Sequence, residues 1–118
     1  MRSLLIVAAG GAVGATSRWG IAELVTGTTR GFPWSTFIVN VVGCALIGLA
    51  TRRLARDSDA WLGVVVGVLG GFTTFSTFAV ETRGLLDGGQ GGTALAYVGA
   101  SLIVGLGAVE LARGEVDP

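Results

Sequence analysis

The 118-residue chain has no histidine, no lysine and one cysteine, and only 14% of its residues are charged. Without His, and with Cys44 alone, the sequence offers no zinc site, no His-based triad and no disulfide framework, and acid–base chemistry near neutral pH loses its usual carrier. An enzyme is not expected. The eight Arg are balanced by eight acidic residues and form no basic block, which argues against a nucleic-acid partner. A soluble domain carries roughly a quarter charged residues, so a surface this poor in charge could not be wetted. What fills the space is 51% hydrophobic residues, with a mean hydropathy of +0.72, and 21 Gly. Glycine without a collagen period, in so apolar a chain, fits helices that approach each other closely inside lipid.

A spanning helix needs about 20 mostly apolar residues, and hydropathy gives four stretches: 3–25, 34–55, 60–82 and 93–112. The breaks are Thr26–Pro33, Arg56–Asp59 and Arg83–Gly92. The expectation is an all-α integral membrane protein, one four-helix domain over 1–118, lodged as a multi-pass protein in the cell (inner or plasma) membrane. Arg2 before Leu4–Ala9 resembles the start of a signal peptide, yet no small-x-small cleavage site follows and the apolar chain resumes at once. Arg2, Arg52, Arg53, Arg56 and Arg113 fall on one side and Arg30 and Arg83 on the other, five against two, which favours both termini in the cytoplasm.

Lipid supplies no hydrogen bonds, so polar residues within the spans are the informative ones. Gly10, Gly14 and Arg18 share a face of the first span, and Arg18 is open to two readings: snorkelling, or an anion-attracting vestibule or fixed interhelical bond. Thr36, Asn40 and Gly43 share a face of the second, where Asn40 is either interhelical glue or a donor to an anion. Cys44 reads as a small packing residue. In the third span the ladder Gly63, Gly67, Gly71 precedes Gly70-Gly71-Phe72-Thr73-Thr74-Phe75-Ser76-Thr77-Phe78, then Glu81. Paired Gly before a run of hydroxyl and aromatic residues is a poor continuous membrane helix, so a break is expected at about Gly70–Phe75. If helix resumes there, Phe75 and Phe78 at i, i+3 read either as core packing or as rings whose positive edges suit an anion, beside a stripe of Thr74, Thr77 and Glu81. Tyr97, Ser101 and Gly105 share a face of the fourth span; Tyr97 could equally belong to an interfacial belt, and Ser101 could bond back to its own helix.

The blocks Gly10–Arg18, Pro33–Gly43 and Gly70–Phe78 resemble the signatures of the Fluc/CrcB family of fluoride channels, and the match spans essentially the whole chain. The resemblance implies an antiparallel, dual-topology dimer of two copies, with two fluoride pores and a structural, untransported Na⁺ at its centre, held by the backbone carbonyls of Gly70 and Thr73. It implies that Asn40 donates to fluoride, that Phe75 and Phe78 meet the ion, and that Ser76, Thr77, Glu81, Tyr97 and Ser101 form a polar track, with Arg18 in the vestibule. Passive export of fluoride, driven by the negative-inside potential, and fluoride resistance follow from the family. Ser35 stands where the family usually has Gly before Thr36, which bears on the start of the second helix. The five-to-two Arg count bears on the partner: an oppositely oriented homologue is the alternative to a second copy. Outside the family, the alternatives are a small dual-topology proton-coupled multidrug exporter, for which Glu23 is the only candidate carboxylate of the first span, and a non-transporting structural membrane subunit.

Overall fold

The computed structural model describes residues 1–25 and 31–114. These are helical throughout: α1 (Arg2–Leu24), α2 (Trp34–Arg53), a short α3 (Asp59–Trp61) running into a π-helical stretch (Leu62–Leu69) and on into α4 (Gly70–Phe72), then α5 (Ser76–Asp87) and α6 (Gly91–Arg113). Four helical stretches are long and apolar enough to cross a membrane, the third being Asp59–Asp87. Apolar residues cover the whole circumference of α1, α2 and α6, the pattern of a helix with no water-facing side.

Glycine sets the packing. A Cβ on Gly10 would stand 2.5 Å from the Gly63 carbonyl oxygen, one on Gly71 2.5 Å from that of Gly11, and one on Gly14 would run into the Val68 carbonyl. α1 therefore lies backbone to backbone against the π stretch and α4, the close approach that small residues permit in lipid. α2 and α6 pair in the same way: Gly48 faces the Val109 carbonyl, and Gly105 faces the Cys44 sulfur. Both pairs run parallel, since rising numbers on one helix meet rising numbers on the other. α5 folds back on α6 through Leu85, Ala94 and Tyr97.

The ends of the elements have local causes. α2 begins at Trp34 directly after Pro33, whose fixed φ of −76° suits a helix start, and Ser35 leaves that start intact. The Ser58 hydroxyl caps α3 by accepting from the Trp61 amide. The expected loop at Arg83–Gly92 is a correction: Arg83–Asp87 is helical, held by an i, i+4 ion pair at 3.1 Å and by burial of Leu85. The turn is confined to Gly88–Gln90, where the Gln90 amide bonds the Leu85 carbonyl, the Gly89 amide bonds that of Leu86, and Gly89 takes φ 76°. This is the 6→1 and 5→2 pattern of a Schellman stop, which Gly at the left-handed position permits. Gly70, expected to unwind, stays helical at φ −62°, ψ −40°.

Among the described residues few apolar side chains are buried: Val39, Ala50, Leu69, Phe72, Leu85, Ala94 and Tyr97. The molecule is a slab of 46 × 35 × 21 Å with a radius of gyration of 15.6 Å, above the ~13.5 Å of a compact domain of this length.

Candidate functional site

The third helical stretch ends at Phe72. Thr73 is extended, at φ −79° and ψ 157°, and helix resumes at Ser76. What holds the chain here is Asn40, reaching across from α2. Its Nδ2 donates to the Thr74 carbonyl and its Oδ1 accepts from the Thr74 amide, both at 2.9 Å. A primary amide is the side chain that can pair at once with the N–H and the C=O of one residue. The Thr74 hydroxyl in turn accepts from the Thr77 amide at 3.1 Å and so caps α5. On the other side Arg18 Nε donates to the Gly71 carbonyl at 3.3 Å. The half-buried Arg18 thus makes an interhelical bond, and it lines a small cavity of about 70 Å³ with Thr36, Thr74 and Thr77.

These bonds sort the backbone oxygens. In a continuous helix the Thr74 amide would bond the Gly70 carbonyl and the Thr77 amide that of Thr73. Asn40 Oδ1 and the Thr74 hydroxyl take those two amides instead. Gly71 and Thr74 have their carbonyls bonded by Arg18 and Asn40; Gly70 and Thr73 have theirs released. Gly70 is also exposed. Two neutral, hard oxygens freed from the helix are the donor type that suits an alkali cation, so these residues fit the Na⁺ that the family resemblance implies. Among the described residues no cluster of three or more His, Cys, Asp or Glu forms a side-chain metal site.

Beyond the interruption a polar file runs along α5 and the seam between α2 and α6. Ser76 lies 3.4 Å from the Thr74 hydroxyl. Tyr97, fully buried at 0% exposure, donates from its hydroxyl to Glu81 Oε1 at 3.1 Å, which removes it from any interfacial belt. The buried Thr36 hydroxyl faces the same phenol. Cys44 meets Gly105 and Gly48 meets Val109, so one turn back the seam register sets Asn40 level with Ser101. Ser101 Oγ is buried with no hydrogen-bond partner among the described residues; it does not bond back to its own helix. Thr77 and Phe78 are half-buried.

The rings form a continuous group. Phe78 packs tilted against Tyr97 with centroids 4.9 Å apart, Phe32 meets Tyr97 edge-on at 5.3 Å and Phe37 at 5.2 Å, and Trp34 closes on Phe32 at 4.5 Å. Phe75, 6.1 Å from Phe78, is 79% exposed. Of the residues expected from the sequence, Phe78 and Tyr97 join this group, with Glu81 bonded to the Tyr97 hydroxyl; Phe32, Trp34 and Phe37 were not among those expectations. Their signal is present in Phe32-Pro33-Trp34, aromatic residues flanking the proline that starts α2. A mouth of about 420 Å³ opens here, lined by Phe32, Pro33, Ser35, Glu81 and Gln90 among others. Glu23 is exposed near the end of α1.

Four helical stretches long and apolar enough to cross a membrane, with a file of polar side chains along α5 and the seam of α2 and α6, mark a small multi-pass protein of the cell membrane. The chain belongs to the CrcB-like family: residues 5–113 match the family described as CrcB-like protein, Camphor Resistance (CrcB). It is 50% identical over 110 residues, 90% of its length and 88% of the relative's, to the Fluoride-specific ion channel FluC of Thermus thermophilus. It is 46% identical over 114 residues, 91% of its length and 90% of the relative's, to the protein of that name in Acidobacterium capsulatum. To the one in Paracoccus denitrificans it is 43% identical over 109 residues, 91% and 88%.

Proposed function

We propose that this chain is a fluoride-selective channel that lets cytosolic fluoride leave passively and so confers fluoride resistance. The observation that carries this reading is the 50% identity, over nine-tenths of the chain, to a protein named as a fluoride-specific ion channel. The geometry supports it. An anion crossing a bilayer needs hydrogen-bond donors and positive ring edges in a path too narrow for larger halides. Asn40 has an Nδ2 hydrogen left over after its bond to Thr74, and the Ser101 hydroxyl has no partner among the described residues. Phe75 and Phe78 supply ring edges, Ser76 and Thr77 hydroxyls, and the Tyr97–Glu81 pair a polar wall leading to the mouth. Arg18 biases the vestibule toward anions. A negative-inside potential contributes about 2.3 kcal/mol per charge per 100 mV toward export.

The working unit in this reading is an antiparallel dimer, interrupted in the third span of each chain, with Na⁺ on the Gly70 and Thr73 carbonyls at its centre. The bound ion supplies fixed positive charge that ties the interrupted turns together. The exposure of Gly70 and Phe75 beside the interruption supports a second chain covering them. The test is fluoride efflux from liposomes holding the purified chain, followed by a fluoride electrode with chloride as comparison. Rapid fluoride-selective efflux that Asn40→Asp abolishes is expected, because a carboxylate cannot donate; chloride efflux at the same rate would refute the reading.

A further inference from the structure

The residue placed in the anion path is also the one that holds the interrupted turn open. Asn40 makes two bonds, and both go to the Thr74 backbone. Were its side chain apolar, the Thr74 amide would be left without a partner in a medium that offers none, and its i−4 acceptor in a continuous helix is the Gly70 carbonyl. Thr74 acts likewise one step on. Its hydroxyl takes the Thr77 amide, whose helical acceptor is the Thr73 carbonyl. Each of the two released oxygens therefore owes its release to one identifiable side chain. Neither side chain points its own oxygen at the proposed ion.

We propose that Asn40 and Thr74 are positioning residues for a monovalent cation on the Gly70 and Thr73 carbonyls, Asn40 withholding the amide from Gly70 and Thr74 the amide from Thr73. This rests on the cation reading above. It makes one side chain answer to both ions: Asn40 serves the anion with its spare donor and the cation through the Thr74 backbone. Losing the Asn40 acceptor lets the turn relax toward helix and lowers cation affinity, even though no ligand atom is removed. Outer-shell partners of metal ligands change affinity by about 10- to 100-fold when lost, and the same range is expected here.

The experiment uses the full-length chain in detergent and reads its thermal midpoint against Na⁺ at constant ionic strength, with an organic cation making up the difference. A ligand that binds the folded form raises the midpoint with the logarithm of 1 + [L]/Kd, so the concentration at which the rise sets in reports its affinity. Asn40→Leu and Thr74→Val should each move that onset upward by about 10-fold or more. Thr74→Val is isosteric and serves if Asn40→Leu does not fold. Val39→Ala, a buried packing change one residue from Asn40, should lower the midpoint without moving the onset. A wild-type midpoint indifferent to Na⁺ would overturn the cation reading itself. A wild type that responds, with Thr74→Val responding at the same concentrations, would leave the cation reading standing and overturn the positioning role.

Discussion

Tyr97 shows how much a single polar atom decides inside lipid. Its ring packs against Phe32 and Phe78 while its hydroxyl supplies a donor to the Glu81 carboxylate. Tyr97→Phe keeps the ring and strands the carboxylate, a loss of about 1–3 kcal/mol for a partly buried acceptor. Thermal melting of the purified variant should show a destabilisation of that size, accompanied by slower fluoride efflux. Combining Tyr97→Phe with Glu81→Gln should cost less than the sum of the two single changes, because one bond is lost rather than two. Additive losses would mean that the two groups act separately. Asn40, Glu81 and Tyr97 were legible in the sequence because a polar residue in an apolar run stands out and must find a partner. The Asn40–Thr74 clamp was not, since it joins a side chain to a backbone 34 residues away, and backbone partners leave no mark in composition.

Elements were legible to the degree that their pattern has contrast. The four apolar stretches emerged from hydropathy, and the glycine ladders of the first and third spans sit at the close approach they suggested. The π-helical turn of Leu62–Leu69 was invisible, because a stretch apolar on every side has no periodicity from which to read 3.6 against 4.4 residues per turn. The C-terminal end of α5 was misread because Gly84, Gly88 and Gly89 look alike in sequence, whereas only Gly89 takes positive φ. The same distinction gives a prediction for α1. Gly14→Ala sets a methyl into the Val68 carbonyl, and overpacking of this kind costs about 1–3 kcal/mol. Gly20, on the same helix, has open space where its Cβ would go, and Gly20→Ala should be neutral or stabilising by up to about 1 kcal/mol. Melting temperatures of the two variants in one detergent check this, and equal destabilisation would contradict the packing of α1 against the third span.

At the scale of the molecule, the antiparallel pair proposed above requires two such slabs to lie in opposite directions in one membrane. Orientation follows the count of basic residues flanking the spans rather than net charge, so the ion pairs Arg2–Asp59 and Arg113–Glu110 do not cancel their arginines. One end carries Arg2, Arg52, Arg53, Arg56 and Arg113 and the other Arg83; Arg30, which the order of the spans in the sequence assigns with Arg83, lies outside the described residues. This asymmetry predicts that chains with both termini inside outnumber the reverse, so the minority orientation limits self-paired dimers. Arg52 and Arg53 are exposed at the end of α2, and exchanging both for Gln reduces the count from five to three against two without disturbing the core. Tags on both termini, probed from each face of the membrane, should shift toward equality in the double variant, and the yield of dimer from this chain alone should rise with them. Equal accessibility in the unaltered chain would show that five against two does not bias insertion, and it would remove the reason to invoke an oppositely oriented homologue as partner. A strong bias with little dimer, corrected by the double exchange, would trace the shortage of pairs to topology and leave the paired surfaces themselves sound.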